Sequence, residues 1–422
     1  MIKLLIIADD FTGSLDTGVQ FSKKGIPTLV TIKPEISFEE IDGAVEVLVF
    51  DTESRHTTPE EAGSRVERIV RKAKAFGIEY FYKKTDSTLR GNIGIELEAA
   101  VNACGSSEIM FVPAYPQTDR TTVNGRQFLK GVPLEDTAFG KDPFNPVSDS
   151  YIPSVIAGQS SLDAVVIKEG DYDKPFPEGD SRKTVYIFDC EREDQLRRIG
   201  SVLKKAGKLE CTAGCAGFAG ELPGLLGLGG RQENLPESND SFLVISGSVN
   251  DIALRQLNWA ENSGYSSFTL KPEQKLEDGY WDTAAGSDFV DKVAKIFKEN
   301  GKLIIKVIDS REDMKASDDY AIAKKLDPGT LHGRIAANMG KLASAVLKKC
   351  SVGNLVVFGG DTVIGIMNSL GCDGIYARDE IVPGVVISRL PGEGSCLNLI
   401  TKAGGFGEAD VIGRISDYLR LG

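Results

Sequence analysis

The chain opens with Met1-Ile-Lys-Leu-Leu-Ile-Ile-Ala8, an apolar run of strand length that stops at Asp9-Asp10-Phe11-Thr12-Gly13-Ser14. Continuous apolar residues without alternation suit a strand covered on both faces, and helical spacing resumes at Gly13. The segment therefore reads as strand, turn and helix, the repeating unit of an α/β sheet. It is too short for a signal-peptide core and has no small-residue cleavage site, which makes the cytoplasm the expected compartment.

The same alternation continues outward from this start. Strands are expected at 3–8, 45–51, 78–83 and 109–113, with helices at 13–24, 59–76 and 94–104 between them. A second series follows, with strands at 242–246, 303–308, 355–359 and 385–390 and helices at 251–263, 289–298, 333–349 and 361–370. Between the two lie Gly220-Glu-Leu-Pro-Gly-Leu-Leu-Gly-Leu-Gly-Gly230 and the polar stretch 231–240, whose composition suits a surface connection. The expectation is two α/β domains with largely parallel sheets, 1–235 and 236–422, and a ligand cleft between them. The length of 422 residues agrees, because a single hydrophobic core stops growing well below it.

Composition narrows the function. Hydrophobic content of 41% and charged content of 26% are those of a globular protein, and no apolar run is long enough for a membrane span. A net charge of −12 opposes nucleic-acid binding, which needs a basic face, but leaves room for a small anion held by a few cations or backbone N–H groups. Seven cysteines scattered over the chain give no disulfide framework, and buried thiols are expected. With only His56 and His332 available, histidine triads and zinc sites have little material, and neither G-x-x-x-x-G-K-[ST] nor G-x-G-x-x-G occurs.

Three polar segments follow three strands of the first series. Asp9, Asp10 and Thr12 stand where ligands gather beyond the carboxyl ends of parallel strands. The acids also suit helix caps and turns, but two in succession favour a hydroxyl-binding group beside a base or cation holder. The second segment, Lys84-Thr-Asp86-Ser-Thr-Leu-Arg90-Gly-Asn92, supplies cations for a carboxylate or phosphate, bridging hydroxyls and an acid. In the third, Pro113-Ala-Tyr-Pro116-Gln-Thr-Asp119-Arg120, Arg120 offers a planar fork for a carboxylate. Solvated loops have similar composition; three of them converging on one crevice would match a polyol acid.

The second series ends its strands in small residues: Ser246-Gly247-Ser248, Gly359-Gly360-Asp361-Thr362, and Lys402-Ala-Gly404-Gly405-Phe-Gly407. Each glycine turn has a purely steric explanation, but together they describe a cradle for phosphates at helix N-termini.

In this order the motifs resemble the four-carbon acid sugar kinases, which include D-threonate, D-erythronate and 3-oxo-tetronate kinases. The resemblance runs along nearly the whole chain and rests on Ala8-Asp-Asp-Phe-Thr-Gly13, Lys84-Thr-Asp-Ser-Thr-Leu-Arg-Gly91, residues 113–125, Asp142-Pro143, Ser246-Gly-Ser248, Gly359-Gly-Asp-Thr362 and residues 402–407. It implies an acid-sugar-binding first domain, a nucleotide-binding second domain, and transfer of the γ-phosphoryl of ATP, with Mg²⁺, to the terminal hydroxyl of a tetronate-like acid. By position, Asp9, Asp10, Lys84, Asp86 and Arg90 would face the acid sugar, joined by Thr12 and Arg120. Ser246, Ser248, Gly359, Gly360, Asp361, Thr362, Gly404 and Gly405 would contact ATP. Asp361 stands where the family often has Glu, and Asp119 where a small residue is common. Asp10 and Asp86 are both candidates for the base that takes the hydroxyl proton. A nucleotide-regulated sugar-acid sensor and a sugar-phosphate hydrolase are the alternatives; the partners expected are the acid sugar and ATP, with homo-oligomerisation open.

Overall fold

The computed structural model describes all residues except 34–36, 143–145, 177–182, 231–238, 392–396 and 422. Chain contacts divide it into two compact units, Met1–Gln232 and Glu233–Gly422. The expected boundary at 235 and 236 lies outside the described residues.

The first unit contains β1 (Leu4–Ala8), β2 (Thr28–Thr31), β3 (Val47–Asp51), β4 (Tyr80–Lys84), β5 (Glu108–Val112), β6 (Arg120–Val123), β7 (Arg126–Leu129), β8 (Val132–Pro133), β9 (Asp163–Ile167), β10 (Thr184–Phe188) and β11 (Cys211–Gly214). Its main sheet runs β2-β3-β1-β4-β11-β5-β10-β9, and its pairings are parallel. Strands β6, β7 and β8 form a small antiparallel sheet of their own. Every residue of β1 and β3 is buried, which explains their unbroken apolar sequences.

In the second unit the strands are β12 (Phe242–Ser246), β13 (Ser266–Thr269), β14 (Lys302–Lys306), β15 (Asn354–Phe358), β16 (Gly374–Val382), β17 (Val385–Arg389) and β18 (Asn398–Lys402). Their order is β13-β14-β12-β15-β18-β17-β16, parallel except where β17 meets β16 and β18. The largely parallel α/β architecture expected from sequence is thus present in both units. One face carries a core in which Ala253, Leu257 and Ala260 of helix Asp251–Asn262 and Val411, Ile412 and Ile415 of helix Val411–Leu421 pack on Val244, Val356, Phe358 and Ile400.

The two sheets begin alike. In each, the second strand lies outside the third, the third beside the first, and the fourth on the first strand's other side. The chain's path therefore reverses between β1 and β4 and again between β12 and β15, and the loops at such a reversal open a crevice at the carboxyl ends of the strands.

Helix ends follow local chemistry. Helix Pro59–Phe76 begins where Thr58 accepts from the Glu61 N–H and Pro59 fills the first turn, and it ends at Gly77 with φ of 99°. The helix expected at 289–298 starts earlier, at Ala284, because Thr283 caps it through the Gly286 N–H. Among the described residues no helix is long and apolar enough to cross a membrane. Cys104, Cys190, Cys211, Cys215 and Cys350 are buried free thiols, and Cys372 is half-buried.

Candidate active site

At the β1/β4 reversal one arginine organises the acids. Arg55, four residues beyond β3, donates from Nε to Asp9 Oδ2 and from Nη1 to Asp10 Oδ2, both at 2.7 Å, and its Nη2 stands 3.8 Å from Asp86 Oδ1. Asp86 is further held by Arg90, whose Nε and Nη2 donate to its two oxygens at 2.8 and 3.1 Å, and by the Thr88 hydroxyl. Arg90 Nη1 also reaches Asp142 Oδ2 at 3.4 Å; Pro143, its neighbour in the quoted motif, lies outside the described residues.

These contacts set the charge states. Burial pushes the Asp86 carboxyl up, but Arg55, Arg90 and the Thr88 hydroxyl outweigh it and hold Asp86 well below the usual carboxylate range. Asp9 is lowered in the same way: burial raises it, and Arg55, Lys83 and Lys84 more than offset that. Asp51, buried at the end of β3, goes the other way, raised well above its usual value by burial and by the neighbouring Glu53 carboxylate.

Asp10 differs from its neighbours in exposure and in contacts. Its side chain is 24% exposed, and its Oδ1 accepts the Gly13 N–H at 2.9 Å, capping helix Phe11–Ser22. Lys84 is buried, and its ammonium makes no hydrogen bond to a described residue. A Cβ at Gly13 would come within 2.5 Å of Asp10 Oδ1 and 2.7 Å of Lys84 Nζ, so the glycine keeps open the space between the acid and the cation. Asp9 Oδ1 is buried without a hydrogen-bond partner among the described residues. Thr12 lies half-buried in the first turn of the same helix. Arg120 begins β6 and donates to Thr118 O at 2.6 Å; its charge, like that of Lys84, acts on the buried Cys215 thiol.

Below this crevice Lys83 and Glu96 form a fully buried pair at 3.0 Å, with Lys83 Nζ also donating to Lys84 O at 2.7 Å and the Ser54 hydroxyl to Glu96. Arg55, Glu53 and Glu96 were not singled out from sequence. Asp51-Thr-Glu-Ser-Arg55 carried the signal, since it is another polar run directly after a strand.

The second unit's candidates follow β12, β15 and β18, three neighbouring strands of its sheet. Gly359, with φ of 106°, leads into helix Gly360–Leu370, which has no side-chain cap. Ser246 Oγ is buried and has no hydrogen-bond partner among the described residues, and Ser248 Oγ accepts from the Asn250 N–H at 3.4 Å. A Cβ at Gly247 would meet Thr362 Oγ1 at 2.1 Å. Asp361 is exposed at the head of the helix, and Thr362 is buried. Gly404 and Gly405 follow β18, and a Cβ at either would meet nothing within 4 Å. The turn after them is fixed by Gln256, whose Nε2 donates to the carbonyls of Phe406, Gly407 and Glu408 at 3.0, 2.8 and 3.0 Å.

Residues 4–222 match the model of a sugar-binding N-terminal domain and residues 243–412 that of a nucleotide-binding C-terminal domain. The chain belongs to the four-carbon acid sugar kinase family. The family's enzymes are phosphotransferases with an alcohol group as acceptor. D-threonate kinase of Salmonella typhimurium is 29% identical over 96% of this chain and 96% of its own length. D-erythronate kinase of Heliobacterium modesticaldum is 26% identical over 99% of this chain and 97% of its own. A crystal structure from Salmonella typhimurium LT2, provisionally named a tRNA synthase, superimposes with a TM-score of 0.80 over 98% of this chain and 99% of that one; at 22% identity it speaks for the fold alone.

Proposed function

We propose that the chain transfers the γ-phosphoryl group of ATP to the terminal hydroxyl of a four-carbon acid sugar, of the D-threonate, D-erythronate or 3-oxo-tetronate type, giving the 4-phosphate. The observation that carries this reading is the contrast between the two crevices. One is lined by Asp10 and Lys84 around the space kept by Gly13; the other is edged by glycines at 404 and 405 whose small size no packing among the described residues requires.

The roles follow from the charges. Lys84 takes the acid sugar's carboxylate, with Arg55 holding Asp9, Asp10 and Asp86 as acceptors for the sugar hydroxyls. Asp10 is the better base. Asp86 is enclosed by Arg90 and the Thr88 hydroxyl, whereas Asp10 is partly exposed and borders the space that Gly13 keeps open, where a substrate hydroxyl could reach it. The hydroxyl oxygen attacks the γ-phosphorus as its proton passes to Asp10, the bond to the β-phosphate oxygen breaks, and ADP leaves.

ATP fits the second unit through Ser246, Ser248, Gly359, Gly360, Thr362, Gly404 and Gly405, with the uncapped N-terminus of helix Gly360–Leu370 favouring phosphate. Mg²⁺ keeps several waters and takes one or two carboxylates beside substrate phosphates, a role Asp361 fits from its exposed place at the head of that helix. The metal neutralises phosphate charge when bound. Transfer requires the hydroxyl held by the first unit to reach the phosphorus held by the second.

A coupled ADP-release screen over D- and L-threonate, D- and L-erythronate and 3-oxo-tetronate tests the reading. Acid-dependent ADP formation with at least one of them is the expected result. ATP binding without ADP formation on any acid would make the chain a sensor, and phosphate release from a sugar phosphate without nucleotide would make it a hydrolase. Asp10→Asn should lower kcat by about a hundredfold or more, the range for loss of a general base.

A further inference from the structure

Lys402 ends β18 as a buried lysine with no counter-ion among the described residues. In register it stands level with Phe358 of β15, which is level with Ser246 of β12, which is level with Lys306 of β14. Paired residues of parallel strands project to the same face, so this row sets two buried lysines on one side of the sheet.

Their surroundings differ. Lys306 Nζ meets Glu261 at 2.6 Å and Asp309 at 2.5 Å. Lys402 lies over the Phe358 ring, 5.0 Å from its centroid, donates to Gly404 O at 2.7 Å, and forms no ion pair among the described residues. The surrounding elements carry Asp251, Arg255 and Glu261 on helix Asp251–Asn262, Asp361 beside β15, Asp379 and Glu380 on β16, Arg389 on β17, and Glu408, Asp410 and Arg414 after the glycine turn. Several are already engaged: Glu261 by Lys306, Asp379 by the Tyr418 hydroxyl, Asp410 by Arg414. None of these described charges moves the Lys402 ammonium; burial alone lowers it, to about 8.

A buried ammonium without a carboxylate is costly, and the Phe358 ring and the Gly404 carbonyl supply no opposite charge to balance it. Among the described residues its donor bond goes to the backbone of the glycine turn that follows β18, and two residues along its row the buried Ser246 hydroxyl has no described partner. We propose that Lys402 is a nucleotide-binding side chain of the second unit, whose missing counter-ion is the polyphosphate of the bound nucleotide. The inference rests on the reading that this unit binds ATP and adds the cation that reading lacked.

The test is titration calorimetry of the full chain with ADP without metal, near pH 8, in buffers of different ionisation enthalpy. Wild type should bind ADP and take up about half a proton per ADP, because the ammonium is half protonated when free and fully protonated against phosphate. Lys402→Met should bind about ten- to a hundredfold more weakly, the loss of one charge-assisted contact, and take up no proton. Lys402→Arg should keep most of the affinity, also without uptake. Since methionine removes an uncompensated charge, Lys402→Met should melt at or above the wild-type temperature without nucleotide, which separates lost binding from lost folding. Wild-type affinity in a folded Lys402→Met chain would overturn the proposal and leave nucleotide binding intact. A wild-type chain that binds no ADP would overturn both.

Discussion

Replacing Arg55 by methionine should turn the first unit's acid cluster from an asset into a source of strain. The arginine is buried, with a side chain 9% exposed, and bonds Asp9 and Asp10 at 2.7 Å each while facing Asp86 at 3.8 Å. Asp9 and Asp86 are themselves buried, so its loss leaves their carboxylates short of compensation. Removing one partner of such a buried pair costs about 3–5 kcal/mol. For a unit of this size that is a fall in Tm of roughly 6–20 °C. The pH dependence is more specific. In the wild type both carboxyls lie below 3.8, so the stability they contribute is present above that value and lost only as pH falls through their lower folded values. In Arg55→Met burial acts against less opposition, the folded values move up, and acidification to about pH 4.5 should relieve part of the deficit seen near pH 7. Thermal melts followed by far-UV circular dichroism at the two pH values measure this. Tryptophan fluorescence supplies a reference, since Trp259 and Trp281 both belong to the second unit. A fall in Tm below about 2 °C, or a deficit independent of pH, would refute the account.

Asp51→Asn should raise Tm near neutrality, because burial and the Glu53 carboxylate both disfavour a charged Asp51 and the amide removes that charge; an unchanged or lowered Tm would contradict this. Lys83→Met alone should cost about 3–5 kcal/mol, and adding Glu96→Leu should recover most of it, as urea titrations of the single and double variants would reveal. In Gly247→Ala the new methyl would meet Thr362 Oγ1 at 2.1 Å, so ADP affinity measured by calorimetry should fall about tenfold as the loop gives way.

Much of the fold could be read because its strands lie inside parallel sheets, where burial on both faces leaves unmistakable apolar runs such as Phe242–Ser246 and Asn354–Phe358. Strands with another signature went unread. Cys211–Gly214 is a short string of small residues lying between β4 and β5, and Ser266–Thr269 is a half-exposed edge whose composition resembles a loop. The site divides along a similar line. Asp9, Asp10, Lys84 and Asp86 announced themselves as polar residues directly after strands. Arg55 did not, because its importance comes from reaching carboxylates 45 and 46 positions away, a relation that exists only once β1 and β3 pair. Lys402 stands out in the sequence only through the glycines that follow it, and its lack of a described counter-ion is visible only in three dimensions.

The Lys83–Glu96 pair has a consequence for alignment. Lys83 is level with Ile7 of β1 and donates to its carbonyl at 3.3 Å while Glu96 waits behind the sheet. Sliding β4 by a single residue would swing Lys83 to the opposite side, abandon Glu96 in an apolar interior and turn Lys84 away from Asp10. Neighbouring hydrophobic residues could tolerate such a slip; this charged couple could not. It works as a ratchet pin that fixes the height at which Lys84 and Asp86 emerge beside Asp9 and Asp10.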